Sequence, residues 1–420
     1  MSEPWDFRSD GSVPKKLPPG AGPRRGLGLP LTLHPVDDPD AFQAPIFDPA
    51  LKQHRNAYRA ADPRFTDPEL SAAWYAARRR AMDLLLAAIA GSPWAGSVVL
   101  RGSVVLRAWF GDAAREPGDL DFVVVPQDWR IEEPRTAELL TGIAAAAEAA
   151  SDGPVFFWAA DAVSEDIWTY DRVPGRRLML PWHYAGDLPG GAIQLDFVFN
   201  EPLPVAPEPV LLPAADGPGT RLLAATRELS LAWKVLWLVT DNYPQGKDLY
   251  DAVLLAESVH LRYEVLREAM VAAGGPHWAE RPVDAVVLSG VGALIDDDWE
   301  YFPREYPHLP ADRNALVGRL AAALAPTFAE VPEQDRTDWW REGWLAALRR
   351  RYAEGGPEAV AEQLRGAHVA LMHRLARQVV DRSELDDDAL ARALLAAPTN
   401  AYWARLVAEG MPLGELLSYG

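Results

Sequence analysis

The residues best suited to chemistry are two aspartates one position apart, in the sequence Asp119-Leu120-Asp121-Phe122. Alternate side chains of a β-strand share a face, so Asp119 and Asp121 point the same way while Leu120 points to the other side. Two neighbouring carboxylates repel each other and are costly to bury, and a bound divalent cation would remove that cost. Oxygen ligands without cysteine or clustered histidine favour Mg²⁺ or Mn²⁺ over zinc. Taken alone, the pair is also typical of a solvated strand edge.

A phosphate-binding turn is predicted before this strand, at Arg101-Gly102-Ser103, where a short apolar strand meets a predicted helix. Glycine lets a phosphate approach the backbone closely, and the helix N-terminus offers unpaired N–H groups and a positive dipole end. The Ser103 hydroxyl can add another donor. A phosphate seat beside metal-binding carboxylates is what the chemistry of nucleoside triphosphates requires.

A third carboxylate, Asp196, lies within the hydrophobic strand predicted at 193–199. Ile193, Leu195 and Phe197 share one face of that strand, which leaves Asp196 on the opposite face. If this strand lies beside the Asp119 strand, Asp196 joins the metal-binding carboxylates or accepts the proton of an attacking hydroxyl group. The ordered combination of turn, paired aspartates and third aspartate is more specific than any of its parts.

Two lysines add to this pattern. Lys234 is the one charge in the apolar run 231–239, so it must either extend to solvent or pair with an anion such as a triphosphate or a site carboxylate. Lys247 stands near a predicted helix start, which disfavours a cation, and its order relative to Asp251 is the weaker i,i+4 orientation. A contact of Lys247 with phosphate or with Asp251 is therefore a reasonable alternative to a purely helical role.

The elements that must position these residues indicate an α+β fold. The prolines of residues 1–45 predict an extended arm without a regular helix. Residues 46–215 are predicted to form the catalytic domain and 216–275 a helical part that completes its cleft. Residues 276–420 are predicted to form an α-helical C-terminal domain. Strands are expected at 97–101, 119–125, 155–160, 177–183 and 193–199, a linker-like stretch at 202–213, and helices almost throughout from residue 220.

Composition limits the class of protein. The chain has 420 residues, no cysteine, and a formal net charge of -19. The lack of cysteine excludes disulfides, cysteine-ligated zinc, Fe–S clusters and thiol nucleophiles. No apolar run approaches the roughly 18 residues of a membrane span, and no secretory signal is visible, so a cytoplasmic protein is expected. The acidic balance argues against nucleic-acid binding over the whole surface and leaves a local basic cleft open.

These motifs resemble the AbiEii/AbiGii-type nucleotidyltransferases, a branch of the polymerase-β-like superfamily. The resemblance spans roughly residues 70–260 and has one departure, because the family often shows Gly-Gly-Ser/Thr where this chain has Arg101-Gly102-Ser103. The matching parts are that turn, the pair Asp119 and Asp121, Asp196, residues 228–234 ending at Lys234, and residues 247–251. The resemblance implies a nucleotidyltransferase-type mixed β-sheet with flanking helices.

The resemblance also implies an activity, namely metal-dependent transfer of a nucleoside monophosphate from an NTP to a hydroxyl group with release of pyrophosphate. Asp119 and Asp121 would then bind Mg²⁺ or Mn²⁺, with Asp196 completing the metal site. Gly102 and Ser103 would hold the triphosphate, and Lys234 and Asp251 would lie in the cleft. Several relatives act as toxins in toxin–antitoxin or phage-defence pairs and some modify tRNA ends, which implies an RNA acceptor and an antitoxin partner.

An RNA acceptor requires a basic surface, for which the candidates are Arg78–Arg80, Arg172 with Arg176 and Arg177, and Arg349–Arg351. Each run is also typical of an ordinary solvated surface. Two other functions stay open, namely a small-molecule nucleotidyltransferase of the aminoglycoside-modifying kind and a catalytically silent interaction protein. The acidic runs at 296–298 and 386–388 are predicted to be solvated helix ends, and Trp339, Trp340 and Trp344 to be core or interface residues.

Overall fold

The computed structural model describes residues 11–169, 173–295 and 299–418. Its centre is a mixed eight-stranded sheet in the order β11-β12-β5-β6-β10-β9-β7, with β8 also paired to β9. The strands are β5 (Val98–Arg101), β6 (Asp119–Val124), β7 (Val155–Phe157), β8 (Val163–Thr169), β9 (Val173–Tyr184), β10 (Gly191–Val198), β11 (Glu208–Leu212) and β12 (Thr220–Ala224). The β6–β10 and β12–β5 pairs are parallel and the other pairs are antiparallel. The predicted α+β class is confirmed.

Helices cover both faces of this sheet and form the rest of the chain. Those within the sheet region are α2 (Pro68–Gly91), α3 (Ser103–Phe110) and α4 (Pro134–Ala149). The C-terminal region is mostly helical, as predicted, and contains α5 (Arg227–Thr240), α6 (Gly246–Ala256), α7 (Tyr263–Ala273), α8 (Ala285–Leu294), α9 (Phe302–Glu305), α10 (Arg313–Ala329), α11 (Glu333–Gln363), α12 (Val369–Arg377), α13 (Asp387–Ala396), α14 (Ala401–Ala408) and α15 (Leu413–Ser418). Residues Gly355 and Gly356 interrupt α11 with non-helical backbone angles.

The alternation of side chains along the central strands divides the core into two parts. Leu120 and Phe122 of β6 pack with Phe197 of β10 in a cluster that includes α2 and α4. Val123 and Val198 point to the other face and join the core of the C-terminal helices. Because Asp119 and Asp121 alternate with Leu120, they face the helical half of the molecule. Trp340 and Trp344 are fully buried in that half, which confirms the predicted core role of these residues.

The edge formed by β11 and β12 corrects the sequence analysis, which predicted a linker at 202–213 and a helix from residue 220. The two segments pair as antiparallel strands, and β12 joins the sheet beside β5. Pro209 is compatible with β11 because an edge strand needs only one side of its backbone for pairing. Val210 and Leu212, which alternate along β11, are buried. Because β12 also belongs to the sheet, the sheet continues beyond residue 215. The helices expected after residue 220 begin only at α5, once β12 has ended.

The N-terminal segment, defined here as residues 11–66, lies against the sheet and is held there by contacts of Glu165, which accepts hydrogen bonds from the amides of Leu31 and Thr32. It contains the short helix α1 (Ala21–Gly26), whereas the sequence predicted no regular helix there; Pro23 stands in its first turn, where proline is tolerated. Its strands are β1 (Ala41–Phe42), β2 (Pro45–Phe47), β3 (Tyr58–Ala60) and β4 (Arg64–Phe65), paired β1–β4 and β2–β3.

Two predicted surface features have different outcomes. Asp386 caps α13 by accepting a hydrogen bond from the amide of Ala389, as expected of an acidic helix end. The acidic run at 296–298 and Arg172 lie outside the described residues. None of the helices in the described ranges combines the length and apolar character needed to cross a membrane.

Candidate active site

Strand pairing brings the three predicted aspartates together. β6 and β10 run parallel, with Asp121 directly opposite Asp196 and Asp119 opposite Gln194. The three carboxylates therefore stand on neighbouring strands, on the face that the helical half covers. The proximity that the sequence analysis made a condition of the site is present, while the roles of the carboxylates as metal ligands stay predictions.

Gly102 connects β5 to α3 in a conformation that other residues rarely adopt, with φ of 79°. A Cβ atom at this position would lie 2.3 Å from Oδ2 of Asp121, so the glycine makes room for that carboxylate. The next residue, Ser103, is the first residue of α3 and is buried, and its Oγ lies 3.5 Å from Oδ1 of Asp119. The Gly-Ser turn is thus built against the aspartate pair.

The two aspartates of β6 have opposite titration behaviour. Burial and the nearby Asp119 raise the pKa of Asp121 to about 7. Burial also acts to raise the pKa of Asp119, but Lys247 and Arg115 outweigh it, and the pKa of Asp119 is lowered. A cation bound beside the pair would favour the charged form of Asp121, which burial and Asp119 disfavour.

Asp196 is not free, because Arg177 on the adjacent strand β9 binds it in a bidentate manner. Nε and Nη2 of Arg177 donate to the two Asp196 oxygens at 2.8 Å each, and Nη1 donates to Asp48 of the N-terminal segment at 2.6 Å. Arg177 is 3% exposed, so its predicted contact with RNA is corrected: this side chain holds two carboxylates inside the protein. Burial outweighs Arg177 at Asp196, whose pKa is raised.

Lys234 pairs with anions, as one of its two predicted alternatives required. Its Nζ lies 2.6 Å from Oδ1 of Asp248 and 3.0 Å from Oδ2 of Asp251 on α6, and the residue is 5% exposed. Asp251 is fully buried and also accepts two hydrogen bonds from Arg115, through Nε at 3.0 Å and Nη2 at 3.0 Å. The partners of Asp251 are therefore Lys234 and Arg115. Its position suits orientation of these two cations better than direct contact with a substrate.

Two adjoining cavities open at this place. The catalytic cavity, of about 120 Å³, is lined by Gly102, the three aspartates and Lys234, together with other residues. The larger cavity, which we call the chamber, has a volume of about 700 Å³. The two cavities share five of their lining residues, which we call the throat: Arg59, Arg115, Asp119, Gln194 and Lys247.

Of the three throat cations, Lys247 makes the fewest direct contacts with acidic side chains, since Arg59 and Arg115 each form an ion pair. Burial acts to lower its pKa, but Asp119 outweighs burial and the pKa is raised, so the ammonium group stays charged. Among the described residues, no hydrogen bond or ion pair engages this group. Its position agrees with a phosphate contact, which the sequence analysis gave as one of two alternatives.

Sequence reasoning missed three side chains at the site, Asp48, Arg59 and Arg115, and gave Arg101 a place in the turn but no role of its own. Arg101 is buried and faces the rings of Trp233 and Trp237, at 5.3 and 5.2 Å. Nothing in the local sequence of these residues signals their role, since each becomes part of the site through contacts across long stretches of chain. The one usable signal was the departure at Arg101, where the resembling family often has glycine.

The basic runs considered for RNA are largely paired with acidic residues. Arg78 is buried and donates to Asp62 at 3.0 Å and to the carbonyl of Gly118. Arg79 lies 3.6 Å from Glu116, and Arg176 lies 2.9 Å from Asp166. The same holds for Arg80 with Asp152 and Asp216, Arg349 with Glu342, and Arg351 with Glu354. These pairs reduce the positive field that the runs present to a polyanion.

Comparison with known proteins agrees with this arrangement. Residues 83–354 match the family described as nucleotidyl transferase AbiEii toxin, type IV toxin–antitoxin system. Solved structures that resemble the chain include JHP933 from Helicobacter pylori, at 14% identity and a TM-score of 0.39, over 62% of this chain and 95% of that one. A candidate nucleotidyltransferase from Helicobacter pylori resembles it at 15% identity and a TM-score of 0.35, over 61% and 96% of the two chains. No curated protein matches the sequence. Since the family match covers more than half of the 420 residues, the chain belongs to the AbiEii family of nucleotidyltransferase toxins.

Proposed function

We propose that the protein transfers a nucleoside monophosphate from an NTP to a hydroxyl group, in a metal-dependent reaction that releases pyrophosphate. The observation that carries the proposal is the pairing of β6 with β10, which sets Asp196 opposite Asp121 beside the Gly102 turn. In this proposal residues 46–215 form the catalytic domain, residues 216–275 complete its cleft and residues 276–420 form the C-terminal domain. A cytoplasmic location follows from the need for NTPs.

A divalent cation fits the pair Asp119 and Asp121. Both carboxylates are hard oxygen donors on one strand face, and burial beside Asp119 leaves Asp121 prone to protonation unless a cation compensates it. When bound, Mg²⁺ or Mn²⁺ would neutralise the triphosphate and polarise its α-phosphorus. Among the described residues, no three acidic or histidine side chains are arranged to hold an ion. Metal ligation by Asp196, the third predicted ligand, would therefore require its contact with Arg177 to loosen.

Asp196 suits the role of proton acceptor. The acceptor oxygen would attack the α-phosphorus, the bond from that phosphorus to the bridging oxygen would break, and pyrophosphate would leave. The proton of the attacking hydroxyl would pass to Asp196, whose pKa is raised by burial and whose orientation Arg177 holds. Gly102, Ser103 and Lys247 would hold the triphosphate. Lys234 would hold α6 in position through its ion pairs with that helix.

We infer an RNA end, such as that of tRNA, as the acceptor, together with an antitoxin partner, because the family is one of toxin–antitoxin systems. A second candidate is a small-molecule acceptor of the aminoglycoside kind. The pairing of the basic runs with acidic residues favours this second candidate, because it leaves less positive surface for a polyanion.

Incubation of the protein with Mg²⁺, labelled NTPs and either total tRNA or an aminoglycoside panel tests the proposal. Label in RNA supports the first acceptor and label on a drug supports the second. Asp121→Ala is expected to abolish transfer and leave the circular dichroism spectrum unchanged. Asp128→Ala is the matched control, since Asp128 is exposed in the loop after the same strand. Transfer by Asp121→Ala at the control rate, or neither transfer nor NTP binding by the unchanged protein, would refute the proposal, and the latter favours a silent interaction protein.

A further inference from the structure

The N-terminal segment lies outside the family match, which begins at residue 83, yet it forms one side of the active site. Side chains of its strands line the chamber together with residues of the sheet, of α2 and of the stretch around α9. Its contributions to the chamber include Phe42, Ala44, Ile46, Arg59 and Ala61. A wall of the cavity next to Asp119 thus comes from residues outside the matched family region.

Contacts on both sides of the cleft hold this wall in place. On the sheet side Asp48 pairs with Arg177 at 2.6 Å. On the helical side Arg59 pairs with Glu305 at 3.0 Å, and the guanidinium of Arg64 donates to the carbonyl of Arg304. Because the segment is tied to the sheet and to α9, the chamber it encloses is a built feature of the fold.

The shape and lining of the chamber indicate what it binds. Its volume of about 700 Å³ is within the range of small-ligand sites, and it is too small for a nucleic-acid duplex. Phe42, Tyr75 and Tyr306 bring aromatic rings to the cavity, and an aromatic ring is a stacking surface for any base. The lining therefore suits a flat heterocycle.

The throat supplies the complementary charge. Arg59 and Lys247 both line the space beside Asp119, and among the described residues Lys247 makes no direct hydrogen bond or ion pair. Apart from Asp119, the acidic residues of the chamber have cations: Asp62 pairs with Arg78, Glu116 with Arg79 and Glu305 with Arg59. A phosphate would therefore share the Arg59 guanidinium with Glu305. A heterocycle that carries a phosphate satisfies both the aromatic walls and the cationic throat.

We propose that the chamber binds one unpaired nucleoside phosphate, with the N-terminal segment forming the wall against its base and with Arg59 and Lys247 binding its phosphate beside Asp119. The inference rests on the proposed function and deepens it, because the segment then restricts the site to a single nucleotide at a time. That nucleotide is either the incoming NTP or the terminal nucleotide of an RNA acceptor.

Equilibrium dialysis of the full-length protein with Mg²⁺ tests the inference, using two labelled probes that cannot act as donors. The probes are the four nucleoside monophosphates and a single-stranded tetranucleotide with a free 3′-hydroxyl. Ala44→Trp fills the chamber and Arg59→Gln removes a throat cation, while Ala76→Trp and Arg55→Gln are matched controls at exposed positions outside both cavities. Thermal unfolding of each variant verifies that it is folded.

Both chamber variants are expected to weaken binding about tenfold or more for one probe, and both controls to stay within about twofold, since loss of a charge-assisted contact has an effect of this size. Weakened monophosphate binding identifies the chamber as the NTP site, and weakened tetranucleotide binding identifies it as the acceptor site. Binding of both probes by folded chamber variants at the control level overturns the inference, as does failure of the unchanged protein to bind either probe. If the unchanged protein transfers nucleotides while the chamber variants bind normally, the inference alone fails. If the binding pattern appears without transfer to any acceptor, the proposed function alone fails.

Discussion

Replacement of Arg177 by methionine is expected to lower the free energy of unfolding by about 3–5 kcal/mol near neutral pH, the usual cost of removing one partner from a buried ion pair. The guanidinium makes three short contacts, two to Asp196 at 2.8 Å and one to Asp48 at 2.6 Å. Methionine preserves much of the apolar stem and supplies no charge. Two buried carboxylates would then lack their common cation, so the upper part of this range is expected.

The cost of this substitution should depend on pH. In the unchanged protein Arg177 outweighs burial at Asp48 and lowers its pKa, so Asp48 contributes stability above its unfolded pKa and loses it as pH falls through the folded value. In the variant, burial acts on Asp48 and Asp196 without that cation, and both folded pKa values rise above their unfolded values. The two buried, ionised carboxylates then destabilise the variant at neutral pH. Their protonation removes this cost as the pH falls. The difference between the two proteins should therefore shrink from about pH 7 to about pH 4.5.

Urea denaturation followed by tryptophan fluorescence and circular dichroism measures both effects. Arg176→Met is the matched control, because Arg176 is adjacent in sequence and pairs with Asp166 at 2.9 Å at a more exposed position. An exposed pair of this kind contributes about 0–1 kcal/mol. Equal losses of stability in the two variants, or a loss in Arg177→Met that grows toward acidic pH, would refute the assignment of Arg177 as the shared cation of two buried carboxylates.

Two further substitutions test the Gly102 turn and the ion pairs between Lys234 and α6. Gly102→Ala is expected to abolish nucleotidyl transfer, because its Cβ would lie 2.3 Å from the Asp121 carboxylate. Gly111→Ala is its control, since Gly111 also has a positive φ, of 54°, but an added Cβ there meets nothing within 4 Å; equal loss of activity in the two variants would contradict this. Lys234→Met should lower the free energy of unfolding by about 3–5 kcal/mol in urea denaturation, because it leaves Asp248 without its buried cation and Asp251 with Arg115 alone, and a loss below about 1 kcal/mol would contradict the pairing.

The part of the site that the sequence predicts is the part set by strand periodicity. Alternation along β6 and β10 fixes which face each aspartate occupies, and the apolar residues between them have to be buried. Leu120 and Phe197 are fully buried, and Asp121 and Asp196 stand on the opposite face in direct register. The pairing of Lys234 was one of two predicted outcomes, because an ammonium group among apolar neighbours must either reach solvent or pair with an anion.

The remainder depends on contacts that local sequence does not encode. Arg176 and Arg177 are the same residue type at adjacent positions, and the alternation and register of β9 direct Arg177 inward to Asp196 while Arg176 pairs with Asp166. The prolines around β11 concealed an edge strand, which tolerates proline because one side of it needs no partner. The docking of the N-terminal segment depends on single ion pairs such as Asp48 with Arg177, and composition alone cannot predict these.

The balance of buried charge supports the proposed site. Arg177 is matched by carboxylates of β10 and of the N-terminal segment, and Lys234 and Arg115 are matched by carboxylates of α6. In the part of the chain that the structure describes, the charges at this site without a bonded counterpart are the carboxylate pair at the start of β6 and the ammonium of Lys247 in the throat. Burial opposes the charged form of all three groups, and Lys247 and Asp119 offset this cost for each other without a direct ion pair. A metal ion bound by the carboxylate pair and a phosphate bound by Lys247 would complete both, which is why substrate binding here should stabilise the protein as well as align the reaction.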